Sequence, residues 1–487
     1  MPANTALVCT GGVVLDCAYA TQIRAYLRTL TCIYRPRVGA PKQCTISRAV
    51  DQPNGIKILL LPRSAIRALR DARIPLYVQM PHTRSFPREI AIPMEFLYDD
   101  QQLIVAHIRA LWRGKTREFS RAASACLNLR AGYGKTFVAA GIIALMRART
   151  LYIVPSRELA RQTCADLRAC FGESVTVEYA TNTRELRALA DDEARNTLIC
   201  VAVINTIVRA YPRAEGQIAR AFSLVIFDEA HTYCSSKRIN IFWIAQTRYM
   251  LGMSATVGDR RDGFDFALAH HLAPMIDAAT DIPGFAYGNT QFQCQVRAIY
   301  YHARDEYAQN LRHEATDHVF AHYMYEQFAR DGARNALIVQ TARELLAEGH
   351  NVFIFAEERA HVELIARDIE ALAGAPRCVI FYGGVSDDER RVALCGDARV
   401  IAATYGYSGT GISIVRMTAM ILATPRYSGM KQIVGRILRR GSDIAIPRVI
   451  VDIVDKKTCL ARQFTLRKNA YKFYGATYEK RVVRADN

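Results

Sequence analysis

The sequence predicts an α/β chain made of two tandem parallel-sheet domains preceded by a small α+β N-terminal domain. Three observations carry this reading. From Leu97 onward, continuous apolar runs of strand length alternate with helical patterns, as in a parallel sheet whose two faces are covered by helices. The alternation pauses at a polar, glycine-bearing segment, DIPGFAYGNT at Asp281–Thr290, and then resumes. Several of the apolar runs end on polar or glycine-rich turns, and in an open parallel sheet the strand C-termini meet at the ligand crevice. The expected boundaries are 1–95 for the N-terminal domain, 96–285 and 286–455 for the two sheet domains, and 456–487 for a basic helical tail.

Composition narrows the function classes. A chain of 487 residues has room for two or three domains, each with its own core. No apolar run is long enough to cross a membrane as a helix, and the N-terminus lacks the basic start of a signal peptide. The thirteen cysteines form no CxxC pair, which suits reduced thiols in an intracellular, reducing compartment. The formal charge of +18 points to a polyanionic partner, most simply nucleic acid. His313, His318 and His322 could share a helix side, but no HExxH pattern or cysteine accompanies them, so zinc is not expected.

Taken in order, residues 1–95 mix short apolar runs (IKILLLP, PLYVQMP) with scattered arginine and proline. LYDDQQLIVAHIRALW then has helical spacing, with Asp99 or Asp100 as N-cap. Next comes LNLRAGYGKT, where a strand breaks on Ala131–Thr136 and a helical run follows. Strand, glycine turn and helix start expose backbone N–H groups around one anion. Gly132 and Gly134 allow the main chain to wrap a phosphate alongside Tyr133. Lys135 would reach the β- and γ-phosphates, and the Thr136 hydroxyl would ligate Mg²⁺. The first glycine of the full phosphate-loop pattern is Leu129 here. A second Gly-Lys-Thr, at residues 114–116, follows a helical pattern and reads as part of a basic loop.

Further strands are expected at 150–155, 174–180, 197–204 and 222–230. The last ends in Phe227-Asp228-Glu229-Ala230-His231. Asp228 would hold Mg²⁺ directly or through water, and Glu229 would polarise the water attacking a γ-phosphate. Ser156 caps the helix whose first residue, Arg157, suits a nucleic-acid backbone phosphate, and Thr206 could serve likewise. Ser254-Ala255-Thr256 places two hydroxyls at another strand end. In the second domain, Thr404 precedes the glycine-rich YGYSGTGISI, which contains Gly411. Gln432–Arg440 then sets Arg436 and Arg439 three apart on one helical face, suited to charge developing on a γ-phosphate.

In this order the motifs resemble those of superfamily 2 helicases: AGYGKT, SRELARQ, DEAH, SAT, the Thr404 loop and QIVGRILRR. IFDEAHTY and YSGTGISI are similar to the helicases of large nucleocytoplasmic DNA viruses, notably the poxvirus transcript-release helicase. Gln101 stands where the family often has a glutamine upstream of the phosphate loop. The resemblance covers roughly residues 97–440. It implies two RecA-like lobes binding ATP and Mg²⁺, with Gln101 and Gly411 beside the nucleotide and Gln432, Arg436 and Arg439 at the reacting end. It further implies that Arg157, Thr206 and Thr404 touch nucleic acid, and that His231, Ser254 and Thr256 couple hydrolysis to movement. A DNA helicase or translocase is expected, acting with transcription machinery or in repair. The alternatives are an RNA helicase and a termination factor that uses ATP as a conformational switch. Gln432 in place of the histidine typical of DEAD-box RNA enzymes leans toward DNA.

Overall fold

The computed structural model describes the chain except residues 1–5, 10–11, 35–41, 52–55, 80–84, 88–91, 93, 114–122, 193–197, 213–216, 236, 256–262, 288–291, 313–318, 320, 373, 375, 383–397, 409–413, 427, 440 and 486–487. Thr256, Gly411, Arg440, His313, His318 and the Gly114–Thr116 loop therefore lie outside the described residues. Two compact units divide the chain: Met1–Arg130 with Gly134–Tyr287, and Ala131–Tyr133 with Gly288–Asn487.

The first unit opens with a mixed sheet. Its strands are β1 (Ala6–Cys9), β2 (Gly12–Asp16), β5 (Arg48–Asp51), β6 (Lys57–Leu61) and β7 (Leu76–Val78), in the order β5-β6-β2-β1-β7. β3 (Thr31–Tyr34) and β4 (Lys42–Thr45) form a separate hairpin. Val8, Val13, Leu15, Leu61 and Leu69 build its core. Ser64 joins this layer to the larger sheet domain: its N–H donates to the His270 carbonyl at 2.9 Å, and its hydroxyl lies 2.9 Å from His270 Nδ1. Beside it the fully buried Arg63 guanidinium donates to the carbonyls of Ala123 (2.9 Å), Arg248 (3.1 Å) and Thr247. Burial pulls Arg63 down to a pKa of about 9, since no carboxylate among the described residues offsets the lost hydration.

The larger sheet is entirely parallel and contains β8 (Ala123–Asn128), β9 (Thr150–Val154), β10 (Thr176–Ala180), β11 (Leu198–Val203), β12 (Leu224–Phe227), β13 (Tyr249–Ser254) and β14 (Met275–Asp277), in the order β10-β11-β9-β12-β13-β8-β14. β9, β11, β12 and β13 are buried throughout, which is why they read as unbroken apolar runs rather than alternating ones. The helix Lys135–Met146 is apolar on every side because helices Asp99–Arg113 and Arg157–Phe171 pack against it. At Gly141 the approach is closest: a Cβ would come within 2.7 Å of Leu97 Cδ1 and 2.9 Å of Val105 Cγ2.

The second unit repeats the plan with β15 (Cys294–His302), β16 (Val352–Ala356), β17 (Cys378–Phe381), β18 (Val400–Thr404), β19 (Ala419–Leu422), β20 (Arg448–Asp455) and β21 (Thr477–Arg484). All are parallel, in the order β17-β18-β16-β19-β20-β15-β21. Among the described residues, two buried ion pairs brace it. Arg334 meets Asp455, and Arg467 makes two 2.8 Å hydrogen bonds to Asp452, which also accepts from the Tyr471 hydroxyl at 2.6 Å.

Three expectations are corrected here. Asp99 and Asp100 lie inside the first helical turn rather than capping it, where their charge complements the helix dipole. The tail is not helical throughout: helix Gln463–Phe473 is followed by Gly475, in the left-handed region at φ +67°, and then by β21. Arg436 and Arg439 do not share a helix face, because the helix Met430–Val434 ends at Gly435 and the chain turns to bury Ile437 and Leu438.

Candidate functional site

The strand order β12-β13-β8 places three chain ends side by side: Phe227, Ser254 and Asn128. The segments after them carry the chemistry. After β8 the chain turns through Gly132 (φ +79°) and Gly134 (φ +94°) before the helix starting at Lys135. Gln101 is buried over this turn, and its Nε2 would lie 2.8 Å from a Cβ at position 134. A side chain there would collide as well as strain the backbone, so glycine is required. The Gln101 Oε1 accepts from the Tyr98 N–H at 3.2 Å, which fixes the amide's orientation.

Asp228 and Glu229 follow β12. Lys135 Nζ donates to Glu229 Oε1 in a partly buried ion pair. Glu229 itself sits at φ +47°, a conformation costly for a residue with a Cβ and concentrated at functional sites. Asp228 is buried, and burial pushes its carboxyl up to about 6; Glu229 adds to the rise and Lys135 opposes it. The Tyr152 hydroxyl lies 3.5 Å from Asp228 Oδ2 and hydrogen-bonds the Thr136 side chain. The Asp228 carboxylate and the Thr136 hydroxyl thus meet the same tyrosine hydroxyl, and both are oxygen donors, the ligand type a hard divalent cation takes. Tyr152 was not among the expected site residues. It lay inside an apolar strand run, where an aromatic reads as core.

The third segment closes the group. His231 Nδ1 is 2.9 Å from the Ser254 hydroxyl and 3.5 Å from Glu229 Oε2. One imidazole therefore links the acidic turn after β12 to the end of β13.

The remaining candidates take separate positions. Ser156 accepts from the Leu159 N–H at 3.2 Å, capping the helix that Arg157 begins, exposed. Thr206 is in the first turn of helix Ile204–Ala210 after β11. In the second unit Thr404 ends β18, buried, and Gln432 lies in helix Met430–Val434. His322 Nδ1 sits 2.8 Å from Glu358.

A phosphate-loop turn, an acidic pair with Asp228 buried and Glu229 partly so, and two seven-stranded parallel sheets define a tandem RecA-like nucleotide-driven enzyme. The family described as type III restriction enzyme, res subunit, matches residues 95–259. "Putative ATP-dependent RNA helicase QP509L" of African swine fever virus is 31% identical over 72% of this chain and 68% of its own length. "Putative helicase 161L" of Invertebrate iridescent virus 6 is 23% identical over 72% of this chain and 77% of its own. Among solved structures, S. cerevisiae Dbp5 bound to RNA and ADP BeF3 covers 81% of this chain and 96% of its own at 15% identity and a TM-score of 0.51. Mss116p bound to ssRNA and AMP-PNP covers 83% and 82% at 10% identity and a TM-score of 0.53. The chain belongs to the superfamily 2 helicases, together with these helicases of large DNA viruses. It is an ATP-dependent, nucleic-acid-acting enzyme of that class. No helix among the described residues is long and apolar enough to cross a membrane.

Proposed function

We propose that the protein is a DNA helicase or translocase in which Lys135, Asp228 and Glu229 form the hydrolytic centre. The observation carrying this reading is the Lys135–Glu229 ion pair beside buried Asp228, at the strand ends where the phosphate-loop turn begins. Bound ATP would take Lys135 onto its β- and γ-phosphates, releasing the Glu229 carboxylate to orient the attacking water. Asp228 and Thr136 would hold Mg²⁺, which supplies charge neutralisation on the phosphates. Gly132, Tyr133, Gly134, Gln101 and Gly411 would surround the nucleotide. Gln432, Arg436 and Arg439 would act on the γ-phosphate, and Arg157, Thr206 and Thr404 would contact the nucleic-acid backbone. His231, Ser254 and Thr256 would pass the hydrolytic event to that contact.

DNA is favoured by Gln432 at the start of QIVGRILRR and by the match to a restriction-enzyme subunit. The name of the African swine fever virus relative, an RNA helicase, favours RNA as the second reading. Action on a transcription complex, with ATP as a switch, is the third. ATP hydrolysis by wild type and Lys135→Ala, with single-stranded DNA, duplex DNA and RNA at fixed salt, separates them. DNA stimulation that vanishes in the variant is the expected result. Stimulation by RNA alone selects the second reading, and none by either selects the switch. Glu229→Gln should bind ATP and fail to turn it over; normal hydrolysis by either variant removes this centre.

A further inference from the structure

Lysine is scarce in this chain, 11 residues among 64 basic ones, yet five of the eleven fall between Lys456 and Lys480. An arginine-rich coding bias does not produce that cluster. The fold brings three of the five together. Lys468 and Lys472 are one turn apart on helix Gln463–Phe473, and Lys480 projects from β21, paired in register with Ala298 of β15. They line a groove of about 510 Å³ floored by Ala298, Tyr300 and Phe464.

The groove's polar and aromatic parts are arranged for an anionic, flat-sided ligand. Lys468 Nζ lies 4.8 Å from the Phe464 ring centroid and Lys480 Nζ 4.7 Å from that of Tyr300. These contacts hold the ammonium groups over the groove with their charge uncancelled. Among the described residues none of the three lysines has a carboxylate partner. The one acidic residue lining the groove, Glu479, lies at an odd register position in β21. Its side chain accepts from Gln295 at 3.2 Å and lies 3.8 Å from Arg297. Tyr478 leaves about half its surface exposed at the rim, while its hydroxyl donates to the Lys468 carbonyl at 3.4 Å.

We propose that this groove binds a segment of single-stranded nucleic acid, with phosphates on Lys468, Lys472 and Lys480 and a base stacked on Tyr478. It is formed within the second unit by residues outside every helicase motif, so it adds an anchor to the strand path. Base stacking on an exposed aromatic combined with backbone-tracking cations is how sequence-tolerant single-strand sites work. The proposal deepens the nucleic-acid reading above, and its test is built to fail separately from that reading.

The test is fluorescence-anisotropy binding of labelled oligo-dT and oligo-U to the full chain without ATP, across a salt series. It compares wild type, a Lys468→Ala/Lys472→Ala/Lys480→Ala variant, and Tyr478→Ala. The triple variant should bind at least tenfold more weakly, and its log K against log salt slope should be shallower by about 2, at roughly 0.7 per released phosphate contact. Tyr478→Ala should weaken binding several-fold with the slope unchanged. Nucleic-acid-free ATP turnover should stay near wild type in both, and both should remain folded at the assay temperature, with Tyr478→Ala melting a few degrees lower for the lost hydrogen bond to the Lys468 carbonyl. Unchanged affinity and slope in the triple variant overturn the groove, and so does equal displacement of the oligonucleotide by poly-glutamate combined with a neutral Tyr478→Ala. If wild type binds oligonucleotide through these residues but its turnover responds to neither DNA nor RNA, the groove stands and the motor reading fails.

Discussion

His231 joins two motifs through one ring atom: Nδ1 lies 2.9 Å from the Ser254 hydroxyl and 3.5 Å from Glu229 Oε2. Under the proposed function, a change around Glu229 would reach the end of β13 through this atom. Ser254→Ala removes that link without touching Lys135, Asp228 or Glu229. Nucleic-acid-stimulated ATP turnover should persist within a few-fold, while strand displacement per ATP falls about tenfold or more, in line with a lost coupling hydrogen bond of roughly 1–2 kcal/mol. Parallel assays of turnover and displacement decide it, and a proportional fall in both removes the coupling role.

Buried imidazoles set a second effect at this scale. His361 is fully buried with Nε2 2.9 Å from Asn335 Oδ1, and burial pulls it down to about 3. Its folded pKa lies below its unfolded value, so its contribution is complete above about 6.5 and declines as acidification proceeds toward 3. His361→Gln keeps a hydrogen-bonding side chain but cannot titrate. The stability difference, wild type minus variant, should shrink by about 2 kcal/mol between pH 7 and pH 5. Denaturant unfolding at those two pH values measures this, and a constant difference contradicts it.

Among the elements, helix Gln463–Phe473 shows best why some of the molecule was legible in sequence and some was not. The motif-bearing strands announced themselves because burial on both faces writes β9, β11 and β12 as unbroken apolar runs. The edge strand β21 is exposed at nearly every position; its sequence, TYEKRVVR, carries no such signal and read as a continuation of a basic helix. The Arg467–Asp452–Tyr471 network was equally hidden, because a buried charge pair looks like ordinary surface charge until the fold brings its members together. The helical face expected for Arg436 and Arg439 failed at Gly435, where burial of Ile437 and Leu438 outweighs helical spacing. Asp452→Asn should cost about 3–5 kcal/mol, since it leaves the Arg467 charge buried and unpaired. Thermal unfolding should show the second unit melting first, and a loss below about 1 kcal/mol would argue against a structural role for the pair.

For the molecule as a whole, the N-terminal layer is the part whose role the motifs do not supply. Arg63 binds the carbonyls of Ala123, Thr247 and Arg248, which stand at or just before the starts of β8 and β13. Lys135, Asp228 and Ser254 follow or end the opposite tips of the same sheet. Arg63→Met should destabilise the first unit by about 2–4 kcal/mol by stranding buried carbonyls. Residues 1–95 should become susceptible to limited proteolysis, while ATP turnover at low temperature stays near wild type. Protection equal to wild type would show that the contact is dispensable.

That placement makes the N-terminal layer a grip bolted to the base of the first lobe. Anything fastened there, whether a dye or a fused domain, would be held to that lobe on the side away from Lys135, Asp228 and Ser254. It is also where a tether would hold the molecule without touching the candidate site.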